Sequence, residues 1–350
     1  MSKKLLVTML VSGVLGLAQQ VAWADPTCEK TFQPQLGNTG DWTDPDNWNP
    51  AGKPTSTDVA CIPAGKTAEI ITDHGVAEAL WIKTDAINGP GRLEVLGDAY
   101  LLNPADITIF GDSQIDGHLV LMFSGTLIID GTITIDGKGQ IRMVPEFVDV
   151  NLPTIVCSDP VNTSGPSNPL WDCSASTDQL TLNGINAGAW TPEEWDDRTD
   201  TLVVTGGGQI DVELVNNAHV VTKEEEGPFT GGANYNDREL TINGSASGNG
   251  FWIAELNANP PGRVDVGILD IKSSVTGSAT WVVAGNGTVS MEPEIRINSP
   301  LTSLTGDVLV YGGTLLIKQN FETTGDLTLQ DQLNPEIIVR SPRTAKFNGP

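Results

Sequence analysis

Residues 107–143 read ITIFGDSQIDGHLVLMFSGTLIIDGTITIDGKGQIRM, and this stretch indicates the fold. Within it TLIIDG at 126–131 is followed directly by TITIDG at 132–137, and QIDG at 114–117 is a partial earlier copy. Each unit is a short run of β-branched residues closed by Asp-Gly, a pair that forms turns. Short strands broken this often are typical of a chain that stacks each strand on the previous coil. The stretch therefore predicts an all-β chain folded as a right-handed parallel β-helix (β-solenoid).

The pattern extends outward from this stretch in both directions. Residues 68–144 form a repeat of short strands, and 179–350 continue it, with QLTLNG at 179–184 and ELTING at 239–244 as near copies. Between them, 145–178 is rich in Pro, Ser, Asn and Asp, which predicts an irregular loop. The chain thus reads as one continuous β-helix with irregular loops.

The first 24 residues have the order of a secretory signal peptide. Lys3 and Lys4 precede an apolar run at 5–17, and Ala22-Trp23-Ala24 supplies the small residues of a cleavage site. The run is shorter than the ~20 residues that span a bilayer, and no later run approaches that length. We therefore expect an exported chain without a transmembrane segment, located in the periplasm, at the cell surface or outside the cell.

The charge balance limits the partners. With 19 Lys+Arg against 44 Asp+Glu the net charge is −25, which argues against nucleic acid and anionic membranes and favours cations. Asp116, Asp130 and Asp136 precede three of the turn glycines and are the candidate ligands for Ca²⁺, if they align along one edge. The simpler interpretation is that they belong to ordinary Asp-Gly turns. No other cofactor is expected.

Four cysteines follow the leader: Cys28, Cys61, Cys157 and Cys173. An even number in an exported chain predicts disulfides. Of the three pairings, the local one is favoured, Cys28–Cys61 and Cys157–Cys173, because each pair brackets a Pro- and Gly-rich segment that cannot be ordered by core burial. Residues 145–178 are then a disulfide-tied loop.

The most specific pattern is GDWTDPDNWNPAGKPTSTDVACIPAGKT at 40–67. Its Trp42, Asn47-Trp48, Pro54 and Asp58-Val59, with IPAGKT at 62–67, resemble the opening of G8-type domains. They equally resemble the related G-x-W…N-W…P…D-x-V-x-I modules that begin many bacterial surface β-helices. The resemblance covers 40–144 and departs from the pattern at 88–91 and 103–104, where turns interrupt expected strands.

This resemblance implies an extracellular β-helical module, in some members linked to glycan binding or processing, and it fixes no catalytic residue. Within the segment 25–67, Trp42 and Trp48 are expected to cap the open end of the core, since a solenoid must cover its terminal coil. The alternative is that the two rings stack on sugars.

Two functions from different classes fit the sequence. The favoured one is a non-catalytic surface or extracellular protein that binds a polysaccharide or a surface partner along the rod, with exposed tryptophans as sugar platforms: Trp190, Trp195, Trp252 and Trp281. The alternative is a polysaccharide lyase or glycoside hydrolase, which needs carboxylates near a basic residue. The candidate groups are Asp196, Asp197 and Arg198, or Asp265 and Asp270 with Lys272. No G-x-S-x-G or H-E-x-x-H motif is present, which disfavours catalysis of those types.

Overall fold

A computed structural model shows an all-β protein. It describes residues 27–71, 73–96, 105–137, 139–144, 152–158, 160–161, 170–171, 173, 175–184, 201–205, 207–223, 239–257, 265–284, 293–298, 306–329, 335–340 and 344–347. Within these residues the single helical element is the short 3-10 turn Pro45–Asn47. The predicted signal peptide (1–24), Trp190, Trp195 and the group Asp196, Asp197 and Arg198 lie outside the described residues.

The strands build three long ladders, which we call sheets A, B and C. Sheet A has nine strands. In ladder order they are Trp48–Asn49, Lys30–Phe32, Val59–Ile62, Ala79–Ile82, Ser113–Ile115, Thr132–Gly137, Gln179–Gly184, Glu213–Asn216 and Ala246–Ser247. Every pairing in this ladder is parallel except the first, between Trp48–Asn49 and Lys30–Phe32.

Sheets B and C are joined through the long strand Val308–Ile317, which pairs in one ladder with its first half and in the other with its second half. The strands of sheet B are Thr39–Asp41, Thr67–Ile71, Arg92–Leu96, His118–Met122, Gln140–Val144, Leu202–Thr205, His219–Lys223, Phe251–Asn257, Thr280–Ala284, Val308–Ile317 and Leu327–Leu329. Those of sheet C are His74–Ala77, Asp106–Ile109, Thr126–Ile129, Thr154–Cys157, Gly208–Ile210, Glu239–Ile242, Ile268–Ile271, Glu294–Ile297, Val308–Ile317 and Pro335–Val339.

A few short pairs complete the described strands. Three are antiparallel: Thr84–Asp85 with Gly89–Pro90, Pro160–Val161 with Leu170–Trp171, and Asp265–Val266 with Phe251–Asn257. One is parallel, Phe321–Thr323 with Ala345–Phe347.

The chain visits sheets A, B and C in this order and then returns to sheet A one strand further along. Val59–Ile62, Thr67–Ile71 and His74–Ala77 make one such pass, and Ser113–Ile115, His118–Met122 and Thr126–Ile129 make another. Parallel pairing without offset keeps like side chains together, so that the Leu93, Leu119 and Ile141 side chains lie in one buried row. This order and register are compatible with a parallel β-helix.

Alternation explains which side chains face the core. In Arg92–Leu96 and His118–Met122, both predicted with these bounds, every second residue is apolar and buried. Several of the described strands were not predicted from the sequence, and two of them show why. His74–Ala77 contains Gly75 and is too weakly apolar to be recognised, and Thr154–Cys157 lies inside the predicted loop 145–178 but forms a strand of sheet C. Its TIVC sequence suits a strand. The nearby prolines, which are typical of loops, are the reason that the sequence predicted a loop there.

Both predicted disulfides are confirmed. Cys28 pairs with Cys61 and Cys157 with Cys173, with Cα–Cα distances of 5.7 and 5.6 Å. Cys28 thereby ties the first strand region of sheet A to the strand Val59–Ile62. The bonds fit an oxidising environment of the kind an exported protein meets. Within the described residues, no helix is sufficiently long and apolar to cross a membrane.

Three aromatic rings are buried together at the beginning of sheet A. Trp42 and Trp48 pack edge to face with ring centroids 4.7 Å apart, and Phe32 lies 5.2 Å from Trp48. The Trp48 indole Nε1 donates a hydrogen bond to the Trp42 carbonyl oxygen at 2.7 Å. Since these rings are in the interior, they are available for core packing and not for stacking on a ligand.

A second, smaller apolar cluster lies on the outer side of sheet B. It consists of Val221, Ile253, Val282 and Ala284, all buried, with Phe251, Leu309 and Tyr311 packed against it. Strands in this part of sheet B are therefore apolar on both faces.

Candidate functional site

A groove of about 160 Å³ lies on the outer surface of sheet A. We call it the Trp81 groove. Its lining residues lie on or directly before three neighbouring strands, Ala79–Ile82, Ser113–Ile115 and Thr132–Gly137. The lining residues are Trp81, Asp112, Ser113, Gln114, Thr132 and Thr134.

Strand alternation places Trp81 in this groove. Leu80 and Ile82 are fully buried in the core, so the residue between them points to the outer face. The Trp81 side chain is half-buried there, and parallel register sets Gln114 beside it on the next strand. One face of the sheet thus carries a large aromatic ring that is held in place and still open to solvent.

The polar groups around the ring are positioned by hydrogen bonds. Gln114 Nε2 donates to Asp116 Oδ1 at 3.0 Å, which orients the amide. Asp112 Oδ1 accepts from the Thr132 backbone N–H at 3.1 Å. The Ser113 hydroxyl accepts from the Leu80 N–H at 2.8 Å and donates to the Gly111 carbonyl oxygen at 3.2 Å. The groove is therefore preformed.

The chemistry of the groove suits a polar ligand with one apolar face. An indole supplies a broad apolar surface, and the amide of Gln114 with the hydroxyls of Thr132 and Thr134 supplies donors and acceptors. A few placed polar groups around an aromatic surface are the usual composition of a ligand site. None of the six lining residues is basic.

Trp81 was not among the four tryptophans expected to bind sugar. Trp81 is part of the strand predicted at 80–83. The alternation of Leu80 and Ile82 around it indicates that its side chain faces outward. The groove as a whole needs the register between strands that are 20 to 33 residues apart, which a single sequence does not supply.

Two of the four expected tryptophans lie in the core. Trp252 and Trp281 are register partners in sheet B, 0% and 1% exposed, and their rings stack at 5.8 Å with an interplanar angle of 14°. Neither indole N–H has a hydrogen-bond partner among the described residues. The condition for a platform role, exposure to solvent, is not met at these two positions.

The three aspartates considered for Ca²⁺ do not all lie at the same edge: two are at the ends of sheet A strands and one is at the end of a sheet C strand. Asp116 and Asp136 follow Ile115 and Ile135, which are register partners in sheet A, whereas Asp130 follows the sheet C strand Thr126–Ile129. In the part of the chain that the structure describes, no group of three or more His, Cys, Asp or Glu residues is arranged to hold a metal ion.

A second set of charged residues lies on the outer face of sheet C. We call it the charged cluster: Glu239, Asp270, Glu294 and Arg296. Arg296 bridges two carboxylates, with its Nη1 2.5 Å from Glu239 Oε2 and its Nη2 2.9 Å from Glu294 Oε2. The Asn298 amide donates to Asp270. Of the earlier candidates, Asp270 belongs to this cluster and Lys272 lies near it, while Asp265 is in the separate strand Asp265–Val266.

The surroundings of Asp270 change the acidity of its carboxyl group. Burial raises the pKa of this carboxyl to about 6, helped by a hydrogen bond and charge repulsion from Glu239, while Lys318 and Lys272 act in the opposite direction. Burial by itself would lower the pKa of Arg296, but the hydrogen bond and charge of Glu294, with the charges of Glu239 and Asp270, raise it. The charges of Glu239 and Asp270 therefore each act on a neighbouring group of the cluster.

The raised pKa of Asp270 predicts a pH dependence of stability. A folded pKa of about 6, above the ordinary 3.8, means that stability is fully present below pH 3.8 and is lost as pH rises through 6. We expect a loss on the order of 1 to 3 kcal/mol across this window, and Asp270→Asn should remove that step. Urea unfolding at pH 4 to 8 measures it.

The control for this experiment is Glu336→Gln, an exposed carboxyl on a later strand of the same sheet. It leaves Asp270 in place and should retain the wild-type step. An Asp270→Asn protein with the same pH profile as wild type would contradict the assignment.

No protein-family model matches this chain, and neither a curated protein nor a solved structure shows significant similarity to it.

Proposed function

We propose that this protein is an exported, right-handed parallel β-helix that binds glycan through the Trp81 groove, without catalysing a reaction, at the cell surface or in the extracellular space. Its N-terminal region, 25–67, caps the helix through Trp42 and Trp48.

Three observations support the β-helix. The chain passes through sheets A, B and C in a fixed order, and the pairing between successive passes is parallel. A row of inward side chains forms a continuous core from Phe32 to Phe321. The resemblance of 40–144 to the opening of G8-type and bacterial surface modules implies the same architecture.

The Trp81 groove is the observation that carries the functional proposal. A sugar ring presents C–H groups on one face and hydroxyls at its edge, so it matches an indole bordered by an amide and hydroxyls. Trp81 has this position because the core requires Leu80 and Ile82, and the half-buried ring loses little freedom on binding.

Trp81→Ala tests the proposal. On a glycan array, and then by affinity electrophoresis against the glycans that bind, we expect affinity to fall about 30-fold or more, because removing a central aromatic anchor costs about 2 kcal/mol or more. Arrays with and without Ca²⁺ show whether the cation contributes.

Phe110→Ala is the matched control, since Phe110 is an exposed aromatic outside the groove. This variant should bind like wild type. Retention of full affinity by Trp81→Ala, or absence of binding to any glycan by the wild-type protein, would refute the proposal.

The charged cluster favours one other function, cleavage of polysaccharide. Three carboxylates beside an arginine, with Asp270 near pKa 6, provide groups that could donate and accept protons. We place cleavage second because Arg296 of the charged cluster is already paired with Glu239 and Glu294. A reducing-end assay on neutral and acidic polysaccharides decides between the two: new chain ends that disappear in Asp270→Asn would establish an enzyme, and binding without new ends supports the binding protein.

A further inference from the structure

We infer that the Trp81 groove is one end of a longer site, and that its ligand is a neutral, linear glycan lying across successive strands of sheet A, along the direction in which they stack. This inference rests on the proposed function and adds the ligand class, its orientation and the number of sugar units that the site holds.

The geometry comes from the register of sheet A. Trp81 is paired with Gln114, Gln114 with Thr134, and Thr134 with Thr181. We call these four residues the outer row. All four side chains point outward and are half-buried. Val215 follows Thr181 in the same register and ends the polar run.

The spacing of the outer row suits a sugar chain. Paired strands are about 4.8 Å apart, so the row extends over about 14 Å. The bond lengths of a pyranose ring and its glycosidic linkage make one unit of an extended chain similar in length to one strand spacing. Four consecutive units can therefore each meet one member of the row, the first on the indole and the others on an amide or hydroxyl.

The outer row carries hydrogen-bonding groups without charge. Thr181 Oγ1 donates to Gln179 Oε1 at 3.0 Å, which directs its lone pairs to the outside as acceptors for a ligand hydroxyl. Gln114 is oriented by Asp116, and Thr134 brings a second hydroxyl. Such groups recognise sugar hydroxyls and offer no counter-charge to a carboxylate or sulfate.

Charges beside the row select against acidic glycans. Asp112 lines the groove, and Asp116 and Asp136 lie on the other side, each two residues beyond Gln114 and Thr134. Lys83, two residues beyond Trp81, offsets part of this charge. With a net charge of −25 on the whole chain, a polyuronate would meet repulsion both locally and at long range.

A chain-length series tests the inference. The probes are oligosaccharides of glucose, xylose, mannose and N-acetylglucosamine with two to six units, and galacturonate oligosaccharides of equal length, titrated into the full-length protein by calorimetry. For at least one neutral series we expect affinity to rise about threefold with each unit from two to four and then to stay constant, since each added hydrogen bond contributes modestly. Galacturonates should bind at least tenfold more weakly.

Thr181→Val locates the far end of the site. It removes one hydroxyl and keeps a β-branched side chain that suits a strand. The gain on adding the fourth unit should disappear, while affinity for the trisaccharide stays at the wild-type value. A matched change outside the row, Thr241→Val on sheet C, should leave the whole series unchanged.

The outcomes separate this inference from the proposed function. If Trp81→Ala abolishes binding but affinity does not depend on chain length, or galacturonates bind more tightly than neutral chains, the inference is overturned and the proposed function stands. If Trp81→Ala has no effect on any oligosaccharide, or none binds, both are overturned.

Discussion

Replacing Trp281 by alanine should lower the free energy of unfolding by about 3 to 5 kcal/mol. The Trp281 ring is fully buried and stacks on Trp252, and both lie in the continuous core row of sheet B. Parallel strands above and below cannot move independently, so the cavity left by the indole would collapse only partially. Guanidinium unfolding, followed by circular dichroism, measures the loss.

The control is a tryptophan-to-alanine substitution at a side chain that faces outward instead of into the core. Trp81→Ala removes a half-buried indole from the outer surface of sheet A, so it should cost about 1 kcal/mol or less. The pair therefore separates core packing from ligand binding: Trp281→Ala unfolds more easily, and Trp81→Ala loses its ligand. Equal stability losses at the two positions would contradict the assignment of faces.

Removal of the Cys28–Cys61 disulfide is the second change with a large expected effect. The bond closes a loop of 33 residues, and the loss of this constraint on the unfolded chain should cost about 3 to 4 kcal/mol in Cys28→Ala/Cys61→Ala. It also holds Cys28 to the strand Val59–Ile62, next to the buried Phe32, Trp42 and Trp48 rings. Thermal unfolding of the oxidised protein and the double variant gives the difference.

The other disulfide is the internal comparison. Cys157–Cys173 closes a loop of 16 residues, so Cys157→Ala/Cys173→Ala should cost slightly less, about 3 kcal/mol. Adding a reductant to the wild-type protein should reproduce the combined loss. If neither double variant is less stable than wild type, the bonds do not constrain the chain as described.

Much of the fold was predictable where one face of a strand is polar. Arg92–Leu96 alternates cleanly because its outward Arg92 and Glu94 are charged, whereas in His118–Met122 the outward Val120 is apolar and buried as well. The same reasoning fails at Phe251–Asn257 and Thr280–Ala284. In these strands the outward Ile253 and Val282 are buried in the second apolar cluster, so both faces of the strand are apolar. Alternation in the sequence therefore does not show that Trp252 and Trp281 point inward.

The candidate sites depend on contacts that a single sequence does not display. Glu239, Asp270 and Arg296 come together because three strands of sheet C are in register, although up to 57 residues separate them in the chain. The disulfides were predictable because each local pair of cysteines brackets a Pro- and Gly-rich segment of the chain. Trp81 was within reach through the alternation of its own strand, but its neighbours Gln114 and Thr134 required the register of sheet A.

A crystal structure of the protein with the tightest-binding neutral tetrasaccharide is the most direct test of a β-helix that binds glycan at Trp81. It should show parallel strands stacked in three sheets, one sugar ring on the Trp81 indole, and the following units beside Gln114, Thr134 and Thr181. A tetrasaccharide bound away from Trp81, or strands that do not stack in parallel passes, would contradict it.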